Sequence, residues 1–165
     1  MILTLFGFPH VHVGLWKRHP CEKPVLAGAH FYTFTRSCEV LLPTLINDLL
    51  QAHQWPHISC LATWREPGPF TALRVAQALA QGLAVGWGNL PIFMPSFFEA
   101  SHLNRMELAV HTGGFSWILK DFSRVETPPQ DHGLISSQHC TEQDTQLLAQ
   151  ALAQYTAQDA ISSLG

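Results

Sequence analysis

Three runs rich in apolar residues, each of strand length, open the chain: Ile2 to Phe8, Val11 to Lys17 and Ala29 to Thr35, divided by Pro9-His10 and by the loop Pro20 to Gly28. They predict an antiparallel meander. The period then changes. Between Val40 and His53, Leu41, Leu45 and Leu49 form one stripe and Leu42, Ile46 and Leu50 the stripe beside it, which is the pattern of a helix with a broad apolar face. Pro43 is tolerated in a helix only in the first turn, where its missing N–H has no intrahelical partner, so the predicted start is near Leu42. Ile58 to Trp64 has the length of a buried strand, and the turn residues Arg65-Glu66-Pro67-Gly68-Pro69 end it. From Phe70 to Val85 only Arg74, Gln77 and Gln81 make a polar stripe. That predicts a helix buried around most of its circumference, with alanines that admit a close neighbour.

Gly86-Trp87-Gly88-Asn89 supplies a glycine C-cap, Leu90 to Met94 reads as another strand, and Pro95 stops it. A short helix around Phe97 to Leu103 follows. Glu107 to Val110 and Phe115 to Lys120, joined by Thr112-Gly113-Gly114, read as a hairpin that opens a second lobe. Ser123 to Glu142 is polar and proline-containing, a linker, and Thr145 to Tyr155 carries an amphipathic pattern through Leu147, Leu148, Ala151, Leu152 and Tyr155. The order β-β-β-α-β-α-β-α describes an α/β unit, a mixed five-stranded sheet covered by helices, in other words an RNase-H-like lobe. The expected division is a lobe over residues 1–103 and a truncated second lobe over 104–165, made of hairpin, linker and C-terminal helix. No repeat of 20 to 50 residues is present.

Composition narrows the function. The 165 residues are 47% hydrophobic and 13% charged, so apolar surface exceeds what a solitary monomer favours and a protein partner is expected. The net charge is −3 and the nine Lys and Arg residues are scattered, without the basic stripe that direct binding to a nucleic-acid backbone requires. Cys21, Cys38, Cys60 and Cys140 form no CxxC pair and read as reduced thiols. The start MILTLFGF lacks a positive n-region and a cleavage site, and no apolar run approaches the roughly 18 residues a membrane helix needs. A cytoplasmic protein without a membrane span is the expectation.

Chemistry-bearing patterns are sparse. His10 and His12 would share one face of a strand, but an HxH pair needs a third ligand that no spacing marks, and His139-Cys140 lies in the polar segment, so no metal site is expected. There is no G-x-S-x-G elbow, and Ser59-Cys60 falls inside the predicted buried strand. No catalytic residue and no cofactor emerge from the pattern.

Two stretches carry a resemblance. Cys38-Glu39-Val40-Leu41-Leu42-Pro43 and Glu66-Pro67-Gly68-Pro69-Phe70-Thr71-Ala72-Leu73-Arg74, each opening a predicted helix, resemble the S-E-x-L-L-P and G-P-G-S-F-T-G-L-R motifs of the TsaB-like (YeaZ-type) family, over about residues 1–120. The resemblance implies an actin-like ATPase (ASKHA) lobe and a non-catalytic scaffold. Its partner would be a TsaD-like subunit that forms threonylcarbamoyladenosine next to the tRNA anticodon, with a small TsaE-like ATPase acting through the complex and tRNA reached only indirectly. In the family the two helices after these motifs form the dimer interface, which here gives Glu39, Leu41, Leu42, Leu45, Leu49, Ala72, Leu73, Val75, Ala76 and Leu79 as interface candidates. Arg65 and Arg74 flank the motif loop as candidate anion contacts. Departures count as well: Glu66, Pro69 and Ala72 replace the family's Gly, Ser and Gly, which stiffens a loop that would otherwise cradle phosphate. Where the superfamily's ATPases place Mg²⁺-holding acids, this sequence has Phe6 and His111, neither suited to a hard cation. Two alternatives follow, a nucleotide-binding enzyme with an altered pocket and a degenerate paralogue that homodimerises.

Overall fold

In the computed structural model, which describes residues 1–7, 10–19, 22–32, 38–66, 70–96, 99–100, 106–111, 116–121 and 142–162, the opening runs form three antiparallel strands. These are β1 (Ile2–Phe6), β2 (Val11–Lys17) and β3 (Val25–Tyr32). Helix α1 (Cys38–Ala52) leads to β4 (Cys60–Ala62), and α2 (Phe70–Gly86) leads to β5 (Ile92–Phe93). The sheet order is β3-β2-β1-β4-β5, with β1 parallel to β4 and β4 parallel to β5. A separate hairpin, β6 (Met106–His111) against β7 (Ser116–Asp121), and the helix α3 (Glu142–Ser162) complete the described chain. The mixed five-stranded α/β sheet is the one expected. Of the short helix expected around 97–103, Glu99 and Ala100 are helical and the remainder lies outside the described residues.

Alternation along the strands assigns the two faces. Leu3, Leu5, Val11, Val13, Leu15 and Leu61 meet Leu42, Ile46, Leu49 and Leu50 of α1 and Ala72, Ala76, Ala80 and Ala84 of α2. The opposite face, Ile2, Phe6, Trp16, Cys60, Ala62 and Trp64, is closed by Leu148, Ala149, Ala151, Leu152, Ala153 and Ala157 of α3. The C-terminal helix therefore belongs to the core of the sheet, whereas the expected division placed it with the hairpin. A buried hydrogen bond pins it: His10 Nδ1 and Thr145 Oγ1 lie 2.7 Å apart, across 135 residues of sequence.

Three boundaries differ from expectation for physical reasons. Helix α1 starts at Cys38, so Pro43 sits in its second turn and leaves the Glu39 carbonyl without its i+4 donor. Strand β3 starts at Val25 and runs through Gly28, because His53 occupies the space where a side chain at 28 would stand, and a register shift opposite Leu15 and Trp16 takes up one residue. Strands β4 and β5 are short, but their backbone bonding runs on, from Thr63 N to Phe93 O (3.0 Å) and from Arg65 N to Pro95 O (2.9 Å). The pairing ends at the Glu66–Ser96 bridge.

Helix α2 differs in a more consequential way. Only its alanine stripe at every fourth residue is buried, while Phe70, Thr71, Arg74, Ala78, Gln81, Gly82 and Val85 are exposed. It is a surface helix rather than one enclosed on most sides. Its C-terminus closes through Gly88 at φ 92° and Asn89 at φ 60°, with Leu90 N donating to Ala84 O at 3.1 Å, so the left-handed residues lie beyond Gly86.

Candidate functional site

Both motif segments end up at one place. A Cβ added at Gly7, just past the carboxyl end of β1, would stand 3.3 Å from Ala72 O and 3.3 Å from Cys38 Cβ. The amino ends of α1 and α2 thus converge on the end of the central strand, and a residue without a side chain permits the approach. Residues 67–69 of the second motif lie outside the described residues.

At this end β1 finishes on an apolar stack. Phe6 is 1% exposed, and its ring lies against His12, with centroids 4.7 Å apart and planes 19° from parallel. His12 is fully enclosed, and burial pushes its pKa down to about 3, so the imidazole is neutral. Thr4 Oγ1 receives the Trp16 indole N–H at 2.9 Å and donates to Gly14 O at 3.3 Å. Its contact with His12 Nε2, at 3.5 Å, then calls for a proton on that nitrogen, since the hydroxyl proton is already committed. Among the described residues no carboxylate joins this network at the end of β1, where the Phe6–His12 pair is packed. The side chain of His111, the other position of the expected acid pair, lies outside the described residues.

The carboxyl end of β4 is pinned to its surroundings. Gln77 of α2 donates to Trp64 O (3.1 Å) and Arg65 O (3.2 Å), so a residue expected in a solvent stripe anchors the helix to the sheet. Arg65 pairs with Glu99 at 3.0 Å. Ser96 and Glu99 form a reciprocal capping box, Ser96 N donating to Glu99 Oε2 (2.6 Å) and Glu99 N to Ser96 Oγ (3.1 Å). The Ser96 N–H, with help from Arg65, holds the Glu99 carboxyl below the usual carboxylate range. Arg74 lies over the Phe70 ring, 3.9 Å from its centroid. Both arginines singled out as anion contacts already have partners, and the charge of Arg65 is balanced by Glu99. Tyr155 of α3 borders this region, its phenol pKa raised by burial and then by Asp159 and Glu99.

The interface candidates divide in two. Leu42, Leu49, Ala72 and Ala76 are 0%, 2%, 7% and 1% exposed and are packed against the sheet, so in this arrangement they hold the helices in place and cannot touch a partner. Leu41, Leu45, Val75 and Leu79 are half-buried at the margin of the same core, Leu73 packs against the α3 side, and Glu39 is exposed. The large apolar residues of these two helices that protrude most, Val40 (63%), Phe70 (67%) and Val85 (70%), are not among those candidates. They fall outside the inward stripe of each helix.

Among the described residues no group of three or more His, Cys, Asp or Glu side chains could hold a metal ion. Cys38 and Cys60 are free and buried, burial raising both thiol pKa values, while Cys21 and Cys140 lie outside the described residues. No helix among those residues is long and apolar enough to cross a membrane.

No protein-family model matches the sequence, and no curated protein does. Solved structures do match. One, described as YeaZ from Pseudomonas aeruginosa, superposes with a TM-score of 0.53 at 18% identity over 78% of this chain and 71% of the other. The fold is that of YeaZ. A second, described as the crystal structure of an uncharacterized protein with similarity to peptidase YEAZ from Pseudomonas aeruginosa, gives a TM-score of 0.52 at 21% identity, over 70% of this chain and 56% of that one. The YeaZ likeness is one of fold, in keeping with the mixed five-stranded α/β sheet. The chain spans little more than half the length of one of these YeaZ-like structures and about seven-tenths of the other.

Proposed function

We propose that the chain is a TsaB-like scaffold. It would dock a TsaD-like transferase subunit and take part, without catalysing a step itself, in forming threonylcarbamoyladenosine beside the tRNA anticodon. A TsaE-like ATPase would act through the complex, tRNA would be met only by the assembly, and the setting would be the cytoplasm. The observation that carries this reading is the asymmetry of the two sheet faces. One is sealed by α3, while the helix layer on the other shows Val40, Phe70 and Val85 to solvent above a half-buried margin of Leu41, Leu45, Val75 and Leu79. An exposed apolar rim around two packed helices is the form of a protein-docking surface. The motif resemblance at the amino ends of the same helices and the YeaZ fold both support it.

The end of β1 argues against nucleotide hydrolysis by the chain alone, since Phe6 and a neutral, enclosed His12 occupy the place where the superfamily's ATPases present a carboxylate to Mg²⁺. Co-expression with the TsaD-like protein of the same organism tests the proposal. A stable complex is expected, together with threonylcarbamoyladenosine in tRNA of a strain whose own TsaB-like gene is replaced by this one. If the two proteins elute separately and the modified nucleoside is absent, the scaffold reading fails. Titration calorimetry with ATP and Mg²⁺ distinguishes the enzyme alternative, for which the isolated chain would give a binding isotherm. Sedimentation of the chain alone reads out the homodimer alternative.

A further inference from the structure

We draw no further inference here: the strongest candidate, the edge strand Val25–Tyr32 with exposed Val25, Leu26 and Tyr32 and no Asp, Glu, Lys or Arg along it, is a margin of the five-stranded sheet that no strand among the described residues pairs, and nothing in the structure shows what covers it.

Discussion

Glycine positions in and after α2 separate two opposite effects. Gly82 lies inside the helix with nothing within 4 Å of an added Cβ, so Gly82→Ala removes backbone freedom from the unfolded chain and meets no obstacle. It should stabilise by about 0.5–1 kcal/mol. Gly88 has equally open surroundings but a φ of +92°, so Gly88→Ala should destabilise by about 1 kcal/mol through backbone strain alone. Urea denaturation of the pair checks both signs. His12 supplies a second residue-scale prediction. Its folded pKa of about 3 lies below the ordinary value of about 6.5, so the unfolded chain takes up the proton first as pH falls. Stability is unaffected by this group above about pH 6.5 and drops by up to ~1.4 kcal/mol per pH unit between there and about pH 3. Denaturation midpoints measured from pH 7.5 to 5 should fall more steeply for the wild type than for His12→Gln. Equal slopes would mean that the imidazole is not enclosed as described. None of this was legible beforehand: an HxH pair in a strand specifies a shared face, but whether that face is aqueous or sealed depends on a helix more than a hundred residues away.

Elements were legible where period alone decides them, and illegible where tertiary packing overrides local preference. The leucine stripes of α1 are where the periodicity places them, yet the helix extends beyond the start that Pro43 imposed, because burial of Cys38 and Leu42 against the sheet offsets one missing hydrogen bond. Pro43 is exposed, so Pro43→Ala should restore the bond to the Glu39 carbonyl and stabilise the fold by about 1 kcal/mol or more, measured as a rise in Tm. No change would indicate that the first turn is held only by tertiary contacts. For α2 the alternation of alanine with larger apolar residues concealed which side faces inward. Alanine is small enough to be read as filler, but here it is the stripe that lets the helix approach the sheet. Helix α3 follows the same logic, with Ala149 and Ala153 both 0% exposed against the second sheet face. Ala153→Leu should overpack that layer and cost about 1–3 kcal/mol, a loss that a helix independent of the sheet would not show.

At the scale of the molecule, α3 closes one face of the sheet, and among the described residues the helix layer on the other face leaves Val40, Phe70 and Val85 exposed. The sequence indicated surplus apolar surface from its 47% hydrophobic and 13% charged composition and assigned it to α1 and α2, but it assigned Leu42, Leu49, Ala72 and Ala76 to a partner, and these are consumed by the core. Periodicity finds the inward stripe most strongly, so candidates chosen by period are biased toward core residues, and the apolar residues left exposed on the two helices are ones that break it. Val40, Phe70 and Val85 are 63%, 67% and 70% exposed, so replacing all three with Ser should leave stability close to the wild type, about 0.5 kcal/mol or less for each position. If the outer face of the two helices docks a TsaD-like subunit, the same triple variant should bind that subunit at least about tenfold more weakly, equivalent to about 1.4 kcal/mol. A Val25→Ser, Tyr32→Ser control removes exposed apolar side chains from the sheet margin instead and should bind like the wild type. Calorimetric affinities for the two variants decide between surfaces: weakening by the control alone would move the docking site to the edge strand, and weakening by neither would leave the helix layer without a partner role. Because Phe70 also holds Arg74 at 3.9 Å, a separate Phe70→Leu variant shows whether the ring's hold on the guanidinium contributes beyond its area.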